Sequence, residues 1–277
     1  QKQSSGLDID YAYQWSYGGG ETFTLLVPNL YGASSNYALG DDSELYRSLA
    51  PRLGAAQARQ ICDAAPTYWG DQPFTSGPVY VGAVVCFLFV LGLFVVKGRE
   101  KWWLLAATLL SFVMSWGKNF LEVNEFLFYN LPLYSKFRAP SMALVIASVT
   151  MVALGILAVR RIIVARRENN GDELARIKRA LFIAAGVRGA ACLVLALFAG
   201  DFFSFEGASD ARMAPIIVDA LVKDREAMLV SDAWRSLALI VAAAALLLVY
   251  LRVGFKSQYA AMILGVLMLI DLWPVDK

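Results

Sequence analysis

Two cations, Lys136 and Arg138, lie two residues apart between an apolar run and Pro140. The run 126–133 consists mostly of large apolar residues, which predicts that this segment lies in or on a membrane interface, at head-group depth. Arginine presents a planar fork of donors that matches a phosphate, and lysine adds a mobile point charge. Because proline disfavours helix at Ala139, we expect an extended stretch with both side chains on one side. The pair then binds a lipid-linked phosphate, or alternatively only anchors the next span to lipid phosphates.

Four carboxylates near aromatic residues or apolar segments are candidates for acid–base chemistry. They are Glu21, Asp71, Glu122 and Glu125. A general base must lie at the hydroxyl whose proton it removes, and spacing selects none of the four. Glu21 and Asp71 remain catalytic candidates, with surface solvation or helix capping as the alternative. Tyr68 and Trp69 come just before Asp71, where two aromatic rings can stack on a sugar.

Two charged residues, Arg188 and Asp271, lie within apolar segments. At helical rise, Arg188 is about 12 Å inside its segment, where a charge is costly unless it meets a partner or a polar cavity. A structural polar contact or snorkelling is the alternative to a function. Asp271 is within about a turn of the segment end, which favours an interfacial or capping role.

Residue types exclude several classes of chemistry. The chain has no histidine, which removes imidazole bases, His-based triads and His-ligated zinc. Cys62, Cys86 and Cys192 are far apart and form neither a metal knuckle nor a redox pair. We therefore expect no metal and no cofactor. The net charge of +2 argues against nucleic acid as a partner.

Composition predicts the kind of secondary structure on which these residues lie. Of the 277 residues, 58% are hydrophobic and 17% are charged, whereas soluble domains average about 45–50% and about 25%. The mean hydropathy is +0.53. These values predict an all-α integral membrane protein with about six spans. The predicted spans are 78–96, 102–120, 141–159, 180–200, 233–251 and 258–275.

The region 1–77 is polar, and we expect it to form an extramembrane loop region. Within it, 22–27 predicts a short strand or an extended segment. Ser43 predicts the start of a short helix that ends near Ala50, and a second helix should follow Pro51. Loop helices at the membrane interface are expected in 117–140.

Basic residues concentrate in the short connections between predicted spans, at 97–101, 160–179 and 252–256. Such loops mark the cytoplasmic side, so 1–77, 117–140 and 201–235 are predicted outside. For the basic 160–179 loop we favour topology and contact with anionic lipid head groups over a cytoplasmic ligand site.

Several blocks together resemble the YfhO-like family of bacterial membrane proteins. The blocks are DYAYQWSY (10–17), ETFTLLVPN (21–29), YWGDQPFTSGP (68–78), LSFVMSWGKNF (110–120), KFRAPS (136–141) and DLWPVDK (271–277). That family has more spans than six. Because the chain begins without Met and stops after an apolar run, we interpret it as an internal or C-terminal membrane piece of a longer protein.

The resemblance implies a GT-C-type membrane glycosyltransferase in the bacterial cytoplasmic (inner) membrane. It implies transfer of a sugar from a polyprenyl-phosphate donor to a cell-envelope acceptor, either a glycopolymer or a lipid, on the outer face. GT-C enzymes usually carry the catalytic carboxylate in their first outer loop, so the resemblance implies a catalytic residue outside this chain. Lys136 and Arg138 match the donor-phosphate role. The alternative is a non-enzymatic protein, either a lipid-linked sugar transporter or flippase or a structural subunit.

Overall fold

The computed structural model describes residues 8–35, 37–73, 76–132, 134–136 and 138–275. Parts of the family-like blocks, at 74–75, 137 and 276–277, lie outside these residues. The described residues contain ten α-helices joined by loops and short 3-10 helices. The helices are α1 Ile9–Ala12, α2 Glu44–Leu53, α3 Ala55–Asp63, α4 Ala83–Val95, α5 Glu100–Trp116, α6 Leu121–Asn130, α7 Leu144–Glu168, α8 Gly171–Phe202, α9 Pro215–Val253 and α10 Ser257–Leu272.

Four helical segments are long and apolar enough to cross a membrane. They are Glu100–Asn130, Pro140–Glu168, Gly171–Phe202 and Pro215–Val253. Helices α4 and α10 are also apolar but have only 13 and 16 residues, so they extend about 20 and 24 Å against about 30 Å of hydrocarbon. The predicted helical membrane class is thus present, with four helical segments that meet the length of a span, and the count of six spans stays a prediction.

Helix α4 forms the centre of the bundle and packs against α7, α8, α9 and α10. Phe87, Leu88 and Leu91 are almost fully buried there. Gly92 permits close approach of α7, because a Cβ at Gly92 would lie 2.7 Å from Leu154 Cγ. Large apolar side chains on α7 and α8 point outward instead, as expected of helices that face lipid rather than water.

The predicted strand at 22–27 is wrong, since Gly20–Leu25 forms a 3-10 helix. A strand that is half exposed buries alternate residues. Here Leu25, Leu26 and Val27 are all buried. The Cys86 thiol of α4 also donates to the Leu25 carbonyl oxygen, with the sulfur and the oxygen 3.2 Å apart. Packing of consecutive residues against the bundle therefore replaces strand pairing.

Helices α2 and α3 occur as predicted, but their boundary differs. Ser43 caps α2 by accepting a hydrogen bond from a first-turn N–H. Pro51 lies inside α2, and the chain breaks at Gly54, whose φ of +85° favours glycine. Asp224 of α9 also accepts a hydrogen bond of 2.7 Å from the Glu44 N–H, which fixes α2 on α9.

A fully buried arginine joins α9 to two loops. Arg225 pairs with Asp210 at 2.6 Å and donates to the carbonyl oxygens of Pro66, Thr67 and Phe205. All of its donor nitrogens therefore have partners, which is what a buried charge requires. This contact holds the segment that leads into Tyr68–Asp71 against the bundle.

Candidate functional site

Arg138 lies on an aromatic platform formed by the N-terminal segment. Its guanidinium carbon is 4.6 Å from the centre of the Trp15 ring and 5.4 Å from that of Tyr11. Its Nη1 also donates a hydrogen bond of 2.6 Å to the Tyr11 hydroxyl. The side chain remains exposed, so cation–π contacts orient the fork while other donors still face solvent.

An apolar cavity of about 330 Å³ opens beside Arg138. It lies between the C-terminal part of α5 and the start of α7. The residues around it include Tyr13, Met114, Tyr134, Pro140, Met142 and Ile146. A cation at the mouth of an apolar cavity suits an amphiphilic anion, whose charged group meets Arg138 while its hydrocarbon enters the cavity.

The predicted extended stretch around Lys136 and Arg138 is wrong in the described residues. Lys136 ends a 3-10 helix that starts at Tyr134, and Ala139 has φ +64° and ψ +81°. Pro140 does keep Ala139 out of right-handed helix, as expected. The left-handed turn at Ala139 lets the Ala139 N–H donate to the Ala12 carbonyl oxygen at 3.3 Å, so packing on α1 determines this backbone. Lys136 is exposed.

Glu21 and Asp71, distant in sequence, lie together. The Asp71 N–H donates to Glu21 Oε1 at 2.5 Å, and the Tyr68 hydroxyl donates to the same oxygen at 2.9 Å. Asn119 Nδ2 donates to Asp71 Oδ2 at 3.1 Å. Glu21 is 1% exposed whereas Asp71 is exposed. The pair thus combines a buried carboxyl with an accessible one.

Burial raises the pKa of Glu21, and the nearby negative charge of Asp71 raises it further. Hydrogen bonds from the Tyr68 hydroxyl and from the backbone of Asp71 and Gly18 lower the pKa but do not offset these effects. Glu21 Oε2 is buried and has no hydrogen-bond partner among the described residues. A proton on Oε2 therefore avoids an uncompensated charge.

The segment 15–17 connects the Arg138 platform with the carboxylate pair. The Trp15 carbonyl oxygen accepts from the Ser141 N–H at 3.4 Å, close in sequence to Arg138. The Tyr17 carbonyl oxygen accepts from Asn119 Nδ2 at 3.0 Å, and Asn119 also holds Asp71. One short segment therefore contacts both groups.

Tyr68 and Trp69, the predicted sugar-stacking pair, have partners inside the protein. Tyr68 is buried and bonded to Glu21. Trp69 packs on Tyr31 with ring centres 4.4 Å apart, and Phe203 and Phe205 meet it edge-on. Sugar stacking by these rings stays a prediction.

Arg188 and Asp271 differ in the hydrogen-bond partners that the fold gives them. Asp271 accepts from the Val84 N–H at 3.1 Å and the Tyr80 hydroxyl at 2.5 Å, which caps α4. Arg188 has a buried Nε that lacks a hydrogen-bond partner among the described residues. No ion pair joins the two residues within the described part of the chain.

A polar cavity of about 650 Å³, missed by the sequence interpretation, lies between α9 and the N-terminal region that precedes α4. Asp232 and Arg235 line it and lie 3.5 Å apart as an ion pair. Arg235 also lies over the Tyr80 ring, at 6.0 Å. Residues 232 and 235 fall where a loop meets a predicted span. Their spacing of three, typical of one helix face, is the signal that could have revealed them.

The chain shows no significant similarity to any family model, curated protein or solved structure with which it was compared.

Proposed function

We propose that this chain is part of an integral-membrane glycosyltransferase that uses a polyprenyl-phosphate-linked sugar. The observation that carries the proposal is Arg138, oriented by Trp15 and Tyr11 at the mouth of an apolar cavity. That arrangement fits a ligand with one phosphate and a long hydrocarbon tail. The family resemblance of the sequence blocks supports the same donor class.

The donor lipid enters the cavity beside Tyr134 and Met142, and its phosphate meets Arg138. Lys136, exposed nearby in sequence, adds a second positive charge. Charge-assisted hydrogen bonds from a guanidinium to phosphate are short and directional. They stabilise the negative charge that grows on the leaving phosphate during transfer.

Asp71 is the base that we assign within this chain, and Glu21 is its positioning residue. The acceptor hydroxyl oxygen forms a bond to the anomeric carbon, and the bond from that carbon to the phosphate oxygen breaks. The electron pair leaves with polyprenyl phosphate, and the acceptor proton passes to Asp71. Exposure of Asp71 and its contacts with Asn119 and Glu21 support this role.

For the membrane arrangement we propose six spans in the bacterial cytoplasmic membrane. Helices α4 and α10 complete the four long spans, and the regions 1–77, 117–140 and 201–235 face outside. The basic loops support this orientation. The acceptor is then a cell-envelope glycopolymer or lipid, and membrane lipids surround the bundle.

A transporter of lipid-linked sugars is the competing function. Transporters place ionisable groups of several spans near the membrane midplane. Asp271 has a structural role as the cap of α4, which leaves Arg188 as the deep charge without a bonded partner at Nε. This distribution favours the enzyme.

Release of polyprenyl phosphate from a labelled donor separates the two functions. The full-length protein in lipid nanodiscs should release it when the acceptor is present. Asp71→Asn should slow release by about 10²–10⁴-fold, as for loss of a general base. Asp63→Asn, an exposed control on α3, should not. Donor movement across vesicles without any release would establish the transporter instead.

A further inference from the structure

A cavity lined by cations, of about 610 Å³, lies at the end of α7 that is opposite to Arg138. Arg166, Arg167 and Lys256 line it together with Ser257 and Gln258, and none of the described residues that line it is acidic. Since α7 begins at Leu144, Arg166 and Arg167 lie about 34 Å along the helix from the end that is near Arg138. The cavity therefore belongs to the opposite membrane surface.

The cations of this cavity differ from Lys97, Arg161 and Arg176, which pair with Glu173, in lacking acidic partners. Glu173 pairs with Arg161 and, at 3.1 Å, with Lys97. Within the described residues, Arg166 and Arg167 form no ion pair, and the buried Nε of Arg166 has no hydrogen-bond partner. The cavity thus keeps a positive charge that an anion would compensate.

The backbone around the cavity also favours an anion. Gly254 turns the chain with φ +74° and lets Arg166 lie against it, because a Cβ there would be 2.1 Å from Arg166 Nη2. Helix α10 begins at Ser257, and no side chain caps it. Its first N–H groups and helix dipole add positive potential to that of the cations.

An apolar groove of about 560 Å³ adjoins the cavity, and Arg167 lines both. Helix α10 packs on α9 and α4, and the groove runs between α10 and α7. Its walls include Leu88, Val152, Ile156, Ile163, Gly265 and Met268. From Val152 to Arg167 it extends about 22 Å along α7, more than the roughly 15 Å of one leaflet's hydrocarbon.

We infer that this cavity and groove form a binding site for one anionic phospholipid. The phosphate lies among Arg166, Arg167 and Lys256, and one acyl chain occupies the groove between α7 and α10. Basic pockets between membrane helices recognise anionic lipid head groups in this way. Because no carboxylate lines the cavity, no like charge there opposes the binding of a phosphate.

The test measures retention of phosphatidylglycerol and phosphatidylcholine with equal acyl chains by native mass spectrometry of the full-length protein. The wild type should retain phosphatidylglycerol preferentially. The double variant Arg167→Gln/Lys256→Gln should lose at least about tenfold in affinity, as expected when a charge-assisted hydrogen bond is lost. Lys178→Gln/Arg179→Gln removes the same charge from the same membrane side outside the cavity and should retain wild-type affinity. Equal loss in both double variants would overturn a specific site.

A groove variant tests the acyl chain independently of charge. Gly265→Leu fills the groove without a clash, since a Cβ at Gly265 meets nothing within 4 Å. It should weaken phosphatidylglycerol retention, whereas Gly186→Leu, equally unobstructed on α8, should not. Unchanged retention in Gly265→Leu, or equally tight binding of glycerol phosphate, would overturn the lipid assignment.

Discussion

The guanidinium carbon of Arg138 lies 4.6 Å from the centre of the Trp15 ring, although 122 residues separate the two in sequence. Tyr11 completes the platform with a hydroxyl that accepts from Arg138 Nη1. The contact fixes the planar guanidinium of Arg138 at the mouth of an apolar cavity. A lysine at this position would keep the charge but lose the stacked, forked geometry.

Removal of the buried guanidinium should destabilise the protein strongly. Arg225→Met leaves Asp210 buried without its partner, and three carbonyl oxygens lose a donor. We expect a loss of about 3–5 kcal/mol in the free energy of unfolding. Chemical unfolding of purified protein measures it, with exposed Arg212→Met as control. A loss no larger than in the control would contradict the structural role.

Glu21→Gln should change the pH dependence of stability. Burial raises the pKa of Glu21 above its unfolded value of about 4.3. Protonated Glu21 therefore contributes to the free energy of unfolding. This contribution is fully present below the unfolded pKa and is lost as pH rises through the folded pKa. Glutamine keeps an oxygen for the Asp71 N–H and does not titrate.

Thermal unfolding between pH 4 and pH 8 checks this expectation. The melting temperature of Glu21→Gln should rise relative to wild type as pH increases. Exposed Glu122→Gln serves as the control and should follow the wild-type profile. Parallel profiles of Glu21→Gln and wild type would show that Glu21 titrates as it does in the unfolded chain.

Asp271 should act through its oxygen acceptors rather than its charge. Asp271→Asn keeps an oxygen for the Val84 N–H but not a second acceptor for the Tyr80 hydroxyl, so it should leave activity near wild type and cost less stability than Asp271→Ala. Asp271→Ala removes the cap of α4 and should cost about 1 kcal/mol in unfolding free energy. A large loss of activity in stable Asp271→Asn would instead indicate a role for the negative charge, as in a proton-coupled transporter.

Membrane orientation can be tested by labelling single cysteines. In a background without Cys62, Cys86 and Cys192, a cysteine at Ser34 or Ser209 should react with an impermeant reagent in intact cells. A cysteine at Asn170 should not, since it lies in the basic loop. All three positions are exposed. Labelling at Asn170 would reverse the orientation.

Hydropathy predicted the apolar parts of the long helices but not their full lengths. A span was predicted at 233–251, whereas α9 begins at Pro215. The additional turns carry Asp224, Arg225 and Asp232, whose partners lie in α2 and in distant loops. A helix end that is polar because it packs on the N-terminal region has no apolar signal, so hydropathy assigns its start to a loop.

The candidate site was predictable in its residue types but not in its contacts. The spacing of Lys136 and Arg138 before Pro140 indicated a phosphate-binding segment. The partners Tyr11 and Trp15 are separated from Arg138 in sequence by the five helices α2–α6, and no local pattern specifies such a pairing. Likewise, both carboxylates were candidates, yet the contact of Glu21 with the Asp71 backbone depends on tertiary packing.

Donor affinity of the full-length protein with Arg138→Lys tests the central claim most directly. The readout is equilibrium binding of a polyprenyl-phosphate-linked sugar in nanodiscs, beside wild type, Arg138→Ala and the exposed control Arg52→Lys. Arg138→Lys should bind about ten- to a hundredfold more weakly, because it keeps the charge but loses a charge-assisted hydrogen bond of the fork. Arg138→Ala should bind at least as weakly, and Arg52→Lys should match wild type. Wild-type affinity in both Arg138 variants would contradict the donor-phosphate site and leave Arg138 as an interfacial anchor.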